Sequence, residues 1–317
     1  MRLPCAVKTR MQLDRYVHTL GRHLQARFGE RVHKLPLTAG FTCPNRDGTI
    51  GVGGCSFCNV DSFSQASEEP LSEQLHQGRA KITRARRYLA YFQAYTNTYA
   101  EVERLRQLYE AALAGCGVVG LCVGTRPDCV PDAALDLLAD YRDRGAEIWL
   151  ELGLQSAVDA TLKRANRGHG FAEYAATVAR ARRLEIPVCV HLIVGLPGEA
   201  AEESLNSLQR VLATDVQGLK LHPLMVVRGS RLAGEYRRGE VMLPSQEAYV
   251  AVAAEMIRQT PAEVVFHRVA ASARAPTLIA PEWCGHAMPC TNAIAHELAR
   301  NGAQGCRTSS PYRPLSE

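Results

Sequence analysis

The chain has 317 residues, 46% hydrophobic and 22% charged, and carries a net charge of +5. That is enough apolar material to bury a large core, as one big α/β domain or two ordinary ones. No run of about 18 or more uncharged apolar residues occurs, so no transmembrane helix and no membrane partner are expected. The first residues (MRLPCAVKTRMQLDRYVH) are charged and lack the apolar centre of a secretory signal, which points to a cytoplasmic protein.

In chain order, residues 12–30 carry Leu and Tyr at helical spacing and predict an N-terminal helical segment over 1–31. VHKLPL (32–37) reads as a strand, and 38–70, rich in Gly, Cys, Asn, Asp and Ser, as a long functional loop. An alternation follows. Helices near 71–87, 99–115, 131–144, 171–184 and 200–213 separate strands at 88–96, 118–125, 147–155, 187–197 and 218–227. Strands apolar on both faces, with helices between them, define a parallel sheet with helical crossovers. With the first strand there are six βα repeats. Eight would close a complete barrel, so an α/β partial (β/α)6 TIM-like barrel is expected over 32–227. A smaller α+β extension follows over 228–301, with a helix at 245–259 and a strand at 263–269, and then a polar, flexible tail over 302–317.

Eleven cysteines are many for such a chain. Their odd number and a reducing compartment argue against a disulfide framework, leaving metal ligation, catalysis or buried thiols. Three of them, in Cys43-Pro-Asn-Arg-Asp-Gly-Thr-Ile-Gly-Val-Gly-Gly-Cys55-Ser-Phe-Cys58, sit in one glycine-rich loop directly after the first strand. Three thiolates suit a [4Fe–4S] cluster with one iron left open. Zinc wants four ligands, and no fourth Cys or His lies between 34 and 75, although His76 is close by.

This loop, followed by the βα alternation, resembles the radical S-adenosylmethionine (SAM) superfamily. The resemblance is to the branch of YhcC and YtqA, related to the Elongator-type and coproporphyrinogen-oxidase-type radical enzymes. It spans 12–275 through CPNRDG-x6-CSFC, YFQAYTNTY, GTRPDC, LELGLQS, NRGHG, HLIVGLPGE and LHPL. The resemblance implies a [4Fe–4S] cluster on Cys43, Cys55 and Cys58, with SAM on the fourth iron. Gln93, Thr96 and Asn97 stand where the superfamily has a Gly-Gly-Glu-type element for the SAM amino group, an element absent here. Gln155 and Arg167 match a pair that contacts SAM in coproporphyrinogen-oxidase-type members. Gly195, Leu196 and Pro197 match the motif that supports the adenine. All lie at carboxyl ends of predicted strands, where barrel active sites are built.

The implied activity is reductive cleavage of SAM to a 5′-deoxyadenosyl radical that abstracts hydrogen from a substrate. Relatives in the branch are linked to the carboxymethylaminomethyl side chain of the tRNA wobble uridine, with a methyltransferase in the pathway. An electron donor such as flavodoxin or ferredoxin is implied as well. Basic stretches at 79–87, 163–169, 180–183 and 228–238 suit a phosphate backbone or are solvated faces. A small metabolite or a protein is the alternative substrate, and a zinc-stabilised nucleic-acid-binding protein is the alternative class. Among the rest, Cys116, Cys122, Cys129 and Cys189 read as core thiols, and Cys284, Cys290 and Cys306 are the positions open to a second cluster. His191, His222, His267 and Arg268 end or line strands; they either face the lumen or, the commoner case, take satisfied core and capping roles.

Overall fold

The structure is a computed structural model and describes residues 13–59 and 68–308. Seven strands run parallel in the order β1-β2-β3-β4-β5-β6-β8. They are β1 (Val32–Leu37), β2 (Arg87–Phe92), β3 (Val118–Thr125), β4 (Glu147–Gln155), β5 (Val188–Val194), β6 (Gly218–Pro223) and β8 (Val265–Arg268). Helices α2 (Leu71–Ala80), α3 (Val102–Leu113), α4 (Asp132–Asp143), α6 (Phe171–Arg183), α7 (Ala201–Leu212) and α9 (Gln246–Gln259) cover its outer face. Each lays one stripe on the sheet; α3, for example, buries Leu105, Leu108, Tyr109 and Ala112. The partial TIM-like barrel is therefore present, with seven strands in place of the six expected. The extra strand is the 263–269 segment: β8 pairs in parallel with β6 through the α9 crossover.

The alternation was hard to follow there because short elements interrupt it. Pro223 ends β6, and the chain turns into β7 (Val226–Val227), which pairs antiparallel with β9 (Leu278–Ala280). The expected single strand over 218–227 is thus two. Helices α5 (Asp159–Arg164) and α8 (Arg231–Arg237) are too short for periodicity to show. Helix α10 (Ala287–Asn301) escaped because Pro289 stands in its first turn, where a missing N–H is tolerated.

Several boundaries also move. The 12–30 helix is a 3-10 turn (Leu13–Arg15) followed by α1 (Leu20–Phe28). Thr19 caps α1 by accepting the Arg22 N–H at 3.3 Å, and Gly29 ends it at φ 71°. α2 stops at Ala80 rather than 87, and β2 stops at Phe92 rather than 96.

Helix α1 lies across the amino-terminal end of the barrel. Leu20 and Leu24 pack there on Leu89, Cys122, Trp149 and Val265, filling that end of the lumen. Glu147 accepts Arg27 Nε at 2.7 Å beneath this plug. Gln304 stitches the two chain ends together: its backbone N–H donates to Tyr16 O (2.9 Å) and its amide to Pro261 O (2.7 Å), while its oxygen accepts the His18 N–H (2.7 Å). The start of the expected tail is therefore anchored. Its remainder, 309–317, lies outside the described residues, as do residues 1–12 with Cys5. Among the described residues no helix is long and apolar enough to cross a membrane.

Candidate active site

The cysteine loop is shaped by its own short-range chemistry. Cys43 O accepts the Arg46 and Asp47 N–H groups (2.7 and 3.1 Å), and Asp47 pairs with Val52. Gly54 adopts φ +77°, and a Cβ there would lie 2.8 Å from Arg46 Nε, so only glycine lets the guanidinium cross. Arg46 then donates to Cys58 O at 3.0 Å. Contacts from later elements fix the loop on the rim. The Ser56 N–H donates to Ala165 O (2.9 Å), the Asn166 amide to Gly54 O (2.9 Å), and the Leu232 N–H to Ser56 O (2.8 Å).

Cys43, Cys55 and Cys58 line one cavity of about 260 Å³, together with Gln93, Thr96, Gln155 and Arg167. Arg167 is buried. It donates to Gly153 O through Nε (3.2 Å) and to Cys55 Sγ through Nη1 (3.3 Å). Gly153 makes this possible, because a Cβ at that position would come within 2.8 Å of both Arg167 Nη2 and Gln155 Nε2. Gln155 follows a register shift in β4 and holds φ +81°, while Tyr95, also on the cavity wall, holds φ +65°. Left-handed backbone at a non-glycine residue costs on the order of 1 kcal/mol and concentrates at functional sites. The amides of Gln93 and Gln155 bond to no described residue, and Thr96 Oγ1 is buried without a partner among them.

The other anticipated residues are placed elsewhere. Asn97 is fully buried and donates to Phe92 O (3.1 Å) and Gly124 O (2.6 Å), which clamps the ends of β2 and β3. Gly195, Leu196 and Pro197 do not line the cavity. Leu196 packs with Leu224, Val226 and Leu232, and Pro197 O accepts from Arg164. Ile193, just before them, does face the cavity. Cys284 and Cys290 are buried in the core and Cys306 is exposed, so among the described residues these three form no ligand set.

Below the rim lies a charged layer that sequence reasoning passed over. Glu151, mid-strand in β4, has no exposed surface and accepts from four groups. They are Lys34, Lys220 (3.1 Å), His191 (2.9 Å) and His267 (2.9 Å). Lys220 also donates to Tyr91 Oη at 2.6 Å. The signal was available: Glu151 is a charge in the middle of β4, between Leu150 and Leu152 and in register with Cys189 of β5. Burial would raise its carboxyl, but Lys220 and Lys34 hold it well below the usual carboxylate range. Burial lowers Lys220 to about 8, partly offset by Glu151. Burial and the neighbouring cations push His191 down to about 4 and His267 to about 3, so both imidazoles are neutral at pH 7. Glu151, Cys189 and His267 offer atoms within 4.8 Å of one another, but the Lys34 ammonium already sits 3.0 Å from His267 Nδ1 and supplies the cation.

The donor set fits an iron–sulfur cluster better than a single ion. Tetrahedral zinc holds thiolates roughly 3.8 Å apart. The three sulfurs here are not gathered within 4.8 Å, although they line one cavity. No fourth ligand joins them among the described residues, and Arg167 and Asn45 (3.7 Å) aim N–H groups at Cys55 Sγ.

The sequence matches the radical SAM superfamily over residues 43–211 and the radical SAM C-terminal domain over 216–300, and the chain belongs to that superfamily. It is an enzyme of this class, with a [4Fe–4S] cluster and SAM as cofactors. It is 52% identical to the Escherichia coli (strain K12) protein YhcC over 309 residues, 97% of this chain and 100% of that one. It is 37% identical to YtqA of Bacillus subtilis (strain 168) over 296 residues, 92% of each chain. A 142-residue stretch, 44% of this chain and 29% of the other, is 33% identical to a tRNA uridine(34) acetyltransferase of Dehalococcoides mccartyi. The fold is similar to that of Methanocaldococcus infernus Elp3, with a TM-score of 0.63 at 16% identity over 86% of this chain and 64% of that one.

Proposed function

We propose that this radical SAM enzyme acts on the side chain of the wobble uridine of tRNA. The carrying observation is the rim. The basic stretches 163–169 and 228–238 meet there beside the cysteine loop, where Arg231 Nη2 donates to Arg164 O at 2.8 Å and the Leu232 N–H to Ser56 O. Lys163, Arg164, Arg228, Arg231, Arg237 and Arg238 are exposed on that side. Such a cluster suits a phosphate backbone. Of these, Arg231 and Arg238 are paired with Glu235 and Glu240, while Lys163, Arg164, Arg228 and Arg237 have no carboxylate partner among the described residues; in the 180–183 stretch Arg180 and Arg182 are paired with Asp132 and Asp215. The likeness to a tRNA uridine(34) acetyltransferase adds support.

In this reading Cys43, Cys55 and Cys58 hold the cluster, and Arg167, Gln155, Gln93 and Thr96 present donors and acceptors to SAM beside it. When bound, the two cofactors supply a 5′-deoxyadenosyl radical that removes hydrogen from a C–H bond. The protein's own work is to position and to exclude water. The backbone at Gly153 and Gln155 keeps the SAM side of the cavity open, Ile193 and Leu224 give it apolar walls, and the Glu151 layer forms its floor. Electrons come from a flavodoxin- or ferredoxin-type donor, and a methyltransferase takes up the product, in a cytoplasmic pathway.

The test is anaerobic reconstitution with iron and sulfide, followed by SAM and dithionite. Wild type is expected to form 5′-deoxyadenosine, faster with tRNA bearing the modified uridine, while the Cys55→Ala/Cys58→Ala variant forms none. Deoxyadenosine that is insensitive to tRNA but stimulated by a metabolite overturns the tRNA assignment and leaves the chemistry standing.

A further inference from the structure

The cations in the lumen outnumber its anions. Lys34 and Lys220 share the single carboxylate of Glu151, and the three nearby histidines are neutral at pH 7. Arg268 adds a third cation. The residue is exposed on one side, borders the same cavity, and makes no hydrogen bond or ion pair with another described residue. Nearer the cluster, Arg126 is neutralised by a two-point pair with Asp128 (2.8 and 3.0 Å) and Arg167 turns to Cys55. Around Glu151, then, Lys34, Lys220 and Arg268 stand against one carboxylate and leave two positive charges in excess.

Arg268 reaches this position through an irregularity in pairing. Leu219 opposes Phe266, but Lys220 opposes Arg268, so two β8 residues face one β6 residue. Strict alternation would send His267 inward and Arg268 outward. The irregularity lets His267 reach Glu151 while Arg268 still lines the cavity, the re-aiming that bulges bring about. His222 lies on the same wall, 6.0 Å from the His191 ring, and neither of its nitrogens bonds a described residue. Ser272 adds a hydroxyl at the lip. An unpaired guanidinium, an ammonium with one carboxylate to share and an unpartnered imidazole leave donors facing the cavity, with excess positive charge that no described residue satisfies.

We infer that the β6–β8 end of the lumen, at Arg268, Lys220 and His222, is a subsite for an oxyanion carried by the substrate, a carboxylate or a phosphate. Arg268 supplies the fork that binds such a group in two-point geometry, Lys220 the nearby charge and His222 a neutral N–H. The inference rests on the reading of the lumen as the substrate chamber of a radical SAM enzyme. It assigns the substrate's polar end to the β6–β8 side of the cavity that the cysteines also line.

The test titrates reconstituted protein, with and without SAM, with sodium acetate, inorganic phosphate and neutral acetamide at constant ionic strength, followed by calorimetry. Acetate or phosphate is expected to bind saturably and acetamide not to bind; whichever anion binds more tightly identifies the group. Arg268→Gln is expected to weaken that binding about tenfold or more, and Arg268→Lys, which keeps the charge without the fork, to fall between. Absence of saturable binding, or affinity unchanged in Arg268→Gln with circular dichroism intact, overturns the inference. So does loss of binding when SAM is present, because the subsite then belongs to SAM's own carboxylate. Failure of wild type to produce 5′-deoxyadenosine counts against the enzyme reading instead, since this titration needs no turnover.

Discussion

Replacing Glu151 with Gln keeps the shape of the side chain and removes the one negative charge among Lys34, Lys220, His191 and His267. Breaking a buried ion pair from one side costs about 3–5 kcal/mol, the lower end applying when the orphaned lysine sheds its proton. Lys220, already lowered to about 8 by burial, is the group able to do so. An unfolding entropy of about 2.1 cal/mol/K per residue over a chain of this size turns that penalty into a melting point lower by about 5–8 °C. Differential scanning calorimetry of the reconstituted protein at pH 7 measures it. The sign of the pH dependence follows from the depressed carboxyl. Its stabilising contribution is complete above the ordinary carboxylate range and is lost as pH falls through the lower folded value. The gap between wild type and Glu151→Gln is therefore constant near neutrality and narrows in acid, below about pH 4. A variant melting within about 1 °C of wild type at pH 7 refutes the claim that this carboxylate holds the lumen floor together.

Three further outcomes are expected. Arg167→Ala removes the donor to Cys55 Sγ and the anchor on Gly153 O, and SAM affinity, measured by equilibrium dialysis, drops about tenfold or more. Asn97→Ala leaves Phe92 O and Gly124 O short of a donor, lowering stability in thermal denaturation by about 1–3 kcal/mol while SAM affinity stays within about twofold, the pattern of a clamp rather than a ligand. Acetate or phosphate binding weakens as pH rises through about 8, where Lys220 loses its proton, pushed by burial and by Arg268 and Lys34 against the hold of Glu151 and Cys189, and Lys220→Met removes that step from a pH series of titrations.

The barrel was legible because β strands apolar on both faces and amphipathic helices leave unmistakable periodicities, and because Cys43, Cys55 and Cys58 fall in one loop. The seventh strand was seen but set apart, since α8 and the β7–β9 pairing break the rhythm before β8. Asn97 lies two residues from Tyr95 and one from Thr96, and sequence spacing cannot tell that its amide turns inward to two carbonyls while its neighbours face the cavity. Gly195 to Pro197 follow the β5 strand closely, yet the chain turns Leu196 into a small apolar cluster with β7 and α8, elements too short to be anticipated. Glu151 was missed for a different reason. A single acidic residue inside LELGLQS reads as part of a motif, and only the convergence of β1, β5, β6 and β8 around it reveals a charged layer. Arg268 was a candidate from its place at a strand end, but strict alternation puts it and His267 on opposite faces, and only the register shift shows how both serve the lumen.

Helix α1 and the Gln304 stitch seal one end of the barrel, which makes the chamber a blind alley. The opposite rim, where the cysteine loop stands, lies open to the cavity. Substrate and SAM are then expected to share one rim rather than to approach the chamber from opposite ends.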